Sequence, residues 1–210
     1  MKRLPGAAAA LAMLIGCSAE KPAETKKIEK PKPPDVYRVK FATTKGDFVV
    51  ESRREWAPYG SNHFYELVDA KYFDGAKFYR VLRKYVAQFG IAADPKMGAL
   101  YREMRIPDDP VKQKNVRGAL SFAMNGPATR STQVFINLAN NTALDKDGFA
   151  PFAKVVEGMD VVDKLAYVYN ETMNRGGGGP DPNKAELMGN EYLERQFPRL
   201  DGIITARVMK

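Results

Sequence analysis

Arg80 and Gln88 are the polar side chains whose surroundings suggest a chemical use. Both lie in the stretch Phe78-Tyr79-Arg80-Val81-Leu82-Arg83-Lys84-Tyr85-Val86-Ala87-Gln88-Phe89-Gly90, dense in apolar and aromatic residues and broken by the basic pair Arg83-Lys84. That density predicts two short β-strands. Alternation puts Phe78, Arg80 and Leu82 on one face of the first strand and Tyr79 and Val81 on the other; on the second, Val86 and Gln88 share a face. An arginine among large apolar groups is paired or has something to bind. A guanidinium and an amide above an apolar floor suit an apolar ligand with one carbonyl or amide to grip. The other reading is that Arg80 caps a loop carbonyl or pairs with a carboxylate, and this stretch taken alone favours it.

Other chemistries are poorly supplied. The chain has one cysteine, Cys17, and one histidine, His63. An internal disulfide and a cysteine metal cluster are excluded, and a zinc site or a Ser-His-Asp or Cys-His site is disfavoured. His63 falls on a predicted helix and is expected to be a surface or satisfied residue. The net charge of +8 is spread along the 210 residues, and outside Phe78–Gly90 no basic stripe carries stacking aromatics, so no nucleic-acid partner is expected.

The elements that must position Arg80 and Gln88 begin near Val36. Tyr37–Thr43 and Asp47–Ser52 flank Thr44-Lys45-Gly46, a hairpin pattern. A helix is predicted at about Ser61–Ala70, with Ser61 as N-cap and Phe64, Leu67 and Val68 on one face. Residues 91–118, with Pro95, Gly98, Pro107 and Pro110, read as mostly loop. Strands follow at Ala119–Met124 and Thr132–Leu138. In the latter, Val134, Ile136 and Leu138 point one way, and Gln133, Phe135 and Asn137 the other, which marks Phe135 as a second ligand-facing candidate. Phe152–Val156 reads as a strand, Met159–Val168 as an amphipathic helix, Gly176–Gly179 as a flexible connector, Glu186–Phe197 as a short helix and Gly202–Met209 as a closing strand. Many short strands, two main helices and no βαβ rhythm predict a mainly β fold, a closed antiparallel barrel.

The amino-terminal residues read differently. Lys2 and Arg3 precede the short apolar run Ala7–Ile15, the pattern of a secretory signal over residues 1–16. Spanning a bilayer takes ~20 apolar residues, more than this run has. Leu14-Ile15-Gly16-Cys17 resembles the lipobox of bacterial lipoproteins, which implies cleavage before Cys17 and acylation of that residue. An ordinary signal peptide with an incidental Cys17 is the alternative. Residues 17–36 are rich in Lys, Glu, Pro and Ala and read as a disordered tether. The implied partner is a lipid bilayer, and the implied location is the cell envelope after export; Ser18 after the cysteine resembles an outer-membrane address facing the periplasm.

Within 37–210 several ordered motifs resemble the cyclophilins. Phe78-Tyr79-Arg80-Val81 with Gln88-Phe89-Gly90 is similar to that family's Phe-His-Arg and Gln-Gly-Gly signature. Leu120-Ser121-Phe122-Ala123, Gly126-Pro127-Ala128-Thr129-Arg130-Ser131-Thr132-Gln133-Val134-Phe135-Ile136, Leu144-Asp145 and Phe152–Met159 continue the match in order. The resemblance implies an eight-stranded β-barrel capped by two helices, peptidyl-prolyl cis-trans isomerase activity, no cofactor and no metal. It also implies proline-containing polypeptide clients, with the chain expected to act as a monomer. It places the active-site arginine on Arg80, with Gln88 and Phe135 beside it, and the substrate-binding positions on Tyr85, Val86, Ala123, Gln133, Leu144 and Phe149.

Some positions depart from the family pattern. Ala143 replaces the tryptophan known for contacting cyclosporin, Phe149 replaces a late histidine, Val86 a methionine, and Phe89 the first glycine after the glutamine. Weak cyclosporin binding and an altered substrate preference are expected. A cyclophilin-like module that binds proline-containing segments or an envelope partner without turnover is the alternative function.

Overall fold

The hairpin predicted around Thr44-Lys45 is formed by Val36–Thr43 (β1) and Gly46–Arg53 (β2) in a computed structural model that describes residues 33–210. The signal segment 1–16, Cys17 and the tether up to residue 32 lie outside the described residues. Inward and outward residues alternate along β1, and Phe41 stacks on Phe48 across the pair at 4.8 Å. The helix after the hairpin, α1 (Pro58–Asp69), starts a turn earlier than expected. Pro58 supplies a ready-made helical φ at its start. Ser61 is therefore inside the helix and is not its N-cap; its hydroxyl meets Ser52 Oγ at 2.9 Å, and its carbonyl accepts from the Tyr37 hydroxyl at 2.5 Å. Phe64, Leu67 and Val68 are buried as the pattern requires.

The remaining strands are Arg80–Val81 (β3), Val86–Phe89 (β4), Ala119–Phe122 (β5), Val134–Asn137 (β6), Pro151–Glu157 (β7) and Ile203–Val208 (β8). They make one eight-stranded antiparallel sheet in the order β3-β4-β6-β5-β7-β2-β1-β8. The expected closed barrel is replaced by a curled sheet that does not close, because β3 and β8 at its two ends are not paired as strands. β3 is only two residues long, too short to supply a full ladder. The ends meet ahead of β3, through the bridge Lys77–Gly202, the Phe78 amide donating to the Asp201 carbonyl at 2.9 Å, the Gly75 amide donating to the Ile203 carbonyl at 2.9 Å and the Ile203 amide donating to the Ala76 carbonyl at 2.8 Å.

Five α-helices, rather than two, accompany the sheet among the described residues. The segment 91–118 contains α2 (Pro95–Tyr101), started by Pro95 and capped by the Asp94 carboxylate, which accepts from Lys96 N at 2.8 Å. Proline, read from the sequence as a breaker, here opens a helix. The predicted helix 159–168 is only α3 (Met159–Asp163), after which the chain turns and the Ala166 amide donates to Asp201 at 2.7 Å. In place of one helix at 186–197 there are two, α4 (Pro182–Met188) and α5 (Asn190–Gln196), which meet at Gly189.

The main core lies between α1 and the concave face of the sheet, around Phe41, Phe64, Phe73, Phe89, Phe122, Ile136 and Phe152. A second cluster packs Tyr79 and Ile91 against Tyr192, Leu193 and Phe197 of α5. Phe89 is fully buried with its ring 5.4 Å from both Phe73 and Phe78, so this departure from the family pattern serves the core. Gly90 follows with φ +107°, and a Cβ there would lie 2.3 Å from the Thr132 carbonyl, so only glycine lets β4 leave the sheet so close to the approach to β6. Arg130 and Asp109 form a fully buried pair at 3.1 Å, and Asp109 also accepts from the amides of Tyr59 and Gly60 at the start of α1.

Candidate active site

Strand register positions the candidate residues. Arg80 is opposite Gln88 across β3 and β4, Gln88 opposite Phe135 across β4 and β6, and Phe135 opposite Ser121 across β6 and β5. Directly paired residues project from the same side of a sheet. Arg80, Gln88 and Phe135 therefore form one row, while Val81, Ala87, Phe89, Val134 and Ile136 turn the other way into the main core. Alternation had placed Phe78 on the Arg80 face, but Phe78 packs in the main core. The strand starts only at Arg80, and before it the chain makes just the isolated bridge Lys77–Gly202, so the alternation of β3 does not extend back to Phe78.

The guanidinium of Arg80 is paired, as one of the two sequence readings allowed. Its Nε donates to Glu171 Oε1 at 2.5 Å and its Nη2 to Glu171 Oε2 at 2.7 Å, a two-pronged ion pair. Its Nη1 donates to Gln88 Oε1 at 3.1 Å. The amide of Gln88 donates to Gln133 Oε1 at 3.1 Å, and that oxygen also accepts from the Tyr79 hydroxyl at 2.5 Å. Gln133 Nε2 donates to Glu186 Oε1 at 2.7 Å. A continuous polar chain thus runs from Glu171 through Arg80, Gln88 and Gln133 to Glu186, with a carboxylate at each end.

The apolar candidates divide into two groups. The Tyr85 ring lies 5.7 Å from the Arg80 guanidinium carbon, and the Tyr85 carbonyl is held by Leu138 N and Asn141 Nδ2, both at 2.8 Å. Phe135 and Phe149 pack edge to face at 5.6 Å, and the Phe149 amide donates to the Leu144 carbonyl at 3.2 Å. Val86 is buried, Leu144 and Phe149 are half-buried, and Ala143 is exposed. A groove of about 640 Å³ is lined by Tyr79, Arg80, Gln88, Ala123, Gln133 and Glu186 among others. Arg80, Gln88, Ala123 and Gln133 line it; Tyr85, Val86, Phe135, Leu144 and Phe149 do not.

Electrostatics follow from these contacts. The Arg80 guanidinium, helped by the Thr172 amide and hydroxyl, holds the Glu171 carboxyl down at about 2. Burial pushes the Tyr79 phenol well above its ordinary range, so it stays a neutral donor. His63, expected at the surface or satisfied, is buried against Phe122 at 5.8 Å with no hydrogen-bond partner on Nε2, and burial lowers its pKa. It is not part of the row.

Sequence reasoning missed Tyr79, Glu171 and Glu186. Alternation places Tyr79 on a face but gives it no partner. Glu171 lies 91 residues from Arg80 and Glu186 lies 53 from Gln133. No local pattern singles out Glu171, which stands five residues ahead of the four-glycine run Gly176–Gly179.

The family described as cyclophilin type peptidyl-prolyl cis-trans isomerase/CLD matches residues 38–181. Peptidyl-prolyl cis-trans isomerase A of Dickeya dadantii is 31% identical over 147 residues, a span covering 64% of this chain and 74% of that protein. Peptidyl-prolyl cis-trans isomerase B of Escherichia coli is 30% identical over 141 residues, covering 60% and 82%. Among solved structures, a cyclophilin type peptidyl-prolyl cis-trans isomerase of Cryptosporidium parvum superposes with a TM-score of 0.62 at 20% identity, covering 83% of this chain and 98% of that one. At that identity the superposition is a likeness of fold.

Proposed function

We propose that this chain, which belongs to the cyclophilin-type peptidyl-prolyl cis-trans isomerase family, accelerates rotation of Xaa-Pro peptide bonds with Arg80 as the group that meets the turning nitrogen. The observation that carries this reading is the row Arg80–Gln88–Phe135, set side by side by strand register within the span that matches the family.

The reaction calls for no proton transfer and no nucleophile. A peptide bond resists rotation by ~18–20 kcal/mol because the nitrogen lone pair is shared with the carbonyl. Before proline the isomers are nearly isoenergetic, so the barrier alone limits the rate. In the twisted transition state the lone pair returns to nitrogen, and an N–H aimed at it binds that state better than the planar one. A guanidinium carries five N–H donors. Glu171 engages two of those on Arg80 and Gln88 one, which leaves one on Nη1 and one on Nη2 for a client. Gln88 fixes the rotation of the guanidinium; Gln133 in turn fixes Gln88. Tyr85, Val86, Phe135, Leu144 and Phe149 hold the proline ring, and Ala123 leaves room for the backbone of the residue before it.

A second reading, a binding module with little turnover, is favoured by one observation: Arg80 already holds a carboxylate. Two-dimensional NMR exchange on Ala-Ala-Pro-Phe with residues 36–210 separates the two readings. Catalysed cis-trans exchange supports the isomerase, whereas peptide-induced shifts without faster exchange support the module.

The amino-terminal sequence supports export, cleavage before Cys17 and acylation of Cys17, which place the isomerase on a lipid tether at the envelope with exported polypeptides as clients. Each methylene of acyl chain buried in a membrane contributes ~0.8 kcal/mol, so two or three chains make a durable anchor. Mass spectrometry of the mature amino terminus tests this, and a Cys17→Ala variant that still sediments with membranes would refute it.

A further inference from the structure

The Arg80–Glu171 pair is made by a segment whose geometry is fitted to hold that carboxylate in place. Glu171 lies between Leu165, where α3 has ended, and α4. The Gly179 amide donates to the Glu171 carbonyl at 2.8 Å, and Thr172 and Gly179 form a parallel bridge. Gly177 comes so close that a Cβ on it would lie 2.0 Å from the Glu171 carbonyl oxygen and 2.4 Å from its carbonyl carbon. Two glycines of the run expected to be a flexible connector, Gly177 and Gly179, thus lie against the Glu171 backbone. On the outer side Arg83 stacks on Tyr167 at 3.6 Å, and Tyr169 packs edge to face on Phe197 at 5.1 Å. Both contacts fasten the segment to the body beside the row.

The Glu171 carboxylate is not deeply buried; its side chain keeps 26% of its surface against 10% for Arg80. A client that brings a peptide bond to the guanidinium must approach within hydrogen-bond distance of a group already neutralised along one edge. The free Nη1 and Nη2 hydrogens let a client reach Arg80 with Glu171 in place, so Glu171 competes with it for the charge of the guanidinium rather than for every donor; a carboxylate that is displaced is left without its partner in a partly desolvated place, which is costly unless another cation takes over.

We propose that Glu171 sets the substrate specificity of this site: it occupies the Nε–Nη2 edge of Arg80 as an internal competitor, and the clients that displace it best carry a lysine or arginine next to the proline, which becomes the new partner of the carboxylate. This rests on the isomerase reading for turnover but not for binding. An acidic residue in the same position meets a displaced like charge and is disfavoured. Gly177 and Gly179 hold the competitor in register.

The test compares the full chain in detergent micelles with Glu171→Gln and Gly177→Ala, using Ala-Lys-Pro-Phe, Ala-Ala-Pro-Phe and Ala-Glu-Pro-Phe. Turnover is read by NMR exchange, affinity by peptide titration, and the pair itself by the Arg80 Nε–H resonance. The wild type should favour the lysine over the glutamate peptide about fivefold or more, the low end of coupling between linked sites. Glu171→Gln should lose that ratio and bind the alanine peptide more tightly, and Gly177→Ala should move the Arg80 resonance and shift the ratio the same way. An unchanged ratio in Glu171→Gln overturns the proposal. So does a variant that loses the Arg80 resonance together with activity on all three peptides, which would make Glu171 a positioning residue. Should no peptide be turned over while the lysine preference persists in the affinities, the specificity role stands and the isomerase reading fails.

Discussion

Replacing Arg80 with alanine removes two things at once, and their sizes can be worked out separately. The first is the donor aimed at the turning nitrogen; deleting one preorganised donor of this kind costs ~10²–10³ in rate. The second is the partner of Glu171. That carboxyl is held at about 2 against an ordinary 4.5, which corresponds to at most ~3 kcal/mol of preference for the ionised form in the fold. Thr172 supplies part of this through its amide and hydroxyl, and the carboxylate is about a quarter exposed, so the share lost with Arg80 is about 1–2 kcal/mol. The sign with pH follows from the direction. A carboxyl depressed by folding stabilises fully above its unfolded value, and that contribution fades as pH falls from about 4.5 towards 2. Arg80→Ala should therefore lower kcat/KM on Ala-Ala-Pro-Phe ~10²-fold at pH 7. It should lower the urea-derived unfolding free energy by ~1–2 kcal/mol there, with the gap from wild type narrowing below pH 4. Turnover undiminished alongside the stability loss would make Arg80 a structural ion-pair member and end its catalytic assignment.

Four further outcomes are expected. Asp109→Ala leaves the Arg130 guanidinium buried without a carboxylate and unties the first amides of α1, so urea unfolding should show a loss of ~3–5 kcal/mol. Phe89→Ala opens the core where four rings meet and should cost ~3–5 kcal/mol while leaving kcat/KM of the folded fraction unchanged; a selective loss of activity would return Phe89 to the site. Burial lowers the pKa of His63, so the unfolded chain takes up its proton first as the pH drops; stability should fall below about pH 6.5, and His63→Gln should flatten that slope. Meanwhile kcat/KM should stay level between about pH 6 and 9, since the Glu171 carboxyl, held at about 2, is ionised throughout and the mechanism moves no proton; a bell-shaped profile would contradict the mechanism.

The faces of β4 and β6 were legible because each strand buries one side in the core. Ala87, Phe89, Val134 and Ile136 had to point inward, and register then required Gln88 and Phe135 to sit side by side. The same rule failed at Phe78, where the strand had not yet begun. Barrel closure was overestimated because it depends on the length of β3, and two residues leave no periodicity to read. Helix α2 was hidden by Pro95, a residue compatible with either a loop or a first helical turn. Glu171 was not legible at all. Carboxylates are common in this chain, and the pairing with Arg80 is decided by how a glycine run folds about a backbone carbonyl, which no local pattern encodes.

The ion pair alters what the arginine must do. A guanidinium nine-tenths covered by protein needs a counter-charge while its groove is empty, since an unpartnered charge there is strongly disfavoured. The fold meets this need from within, with Glu171 on one edge and the Gln88 oxygen on another. Gln88 itself is fixed by Gln133, which is braced by Tyr79 and Glu186, so the second anchor cannot swing away when the first is released. Displacement of Glu171 therefore costs one ion pair without disordering the guanidinium. On the mechanism proposed above, the Gln88 anchor at Nη1 would keep Arg80 aimed with the carboxylate displaced, and its effective charge would then rise. A group that must be stable when idle and electrophilic when loaded is served better by one fixed and one exchangeable partner than by two of either kind.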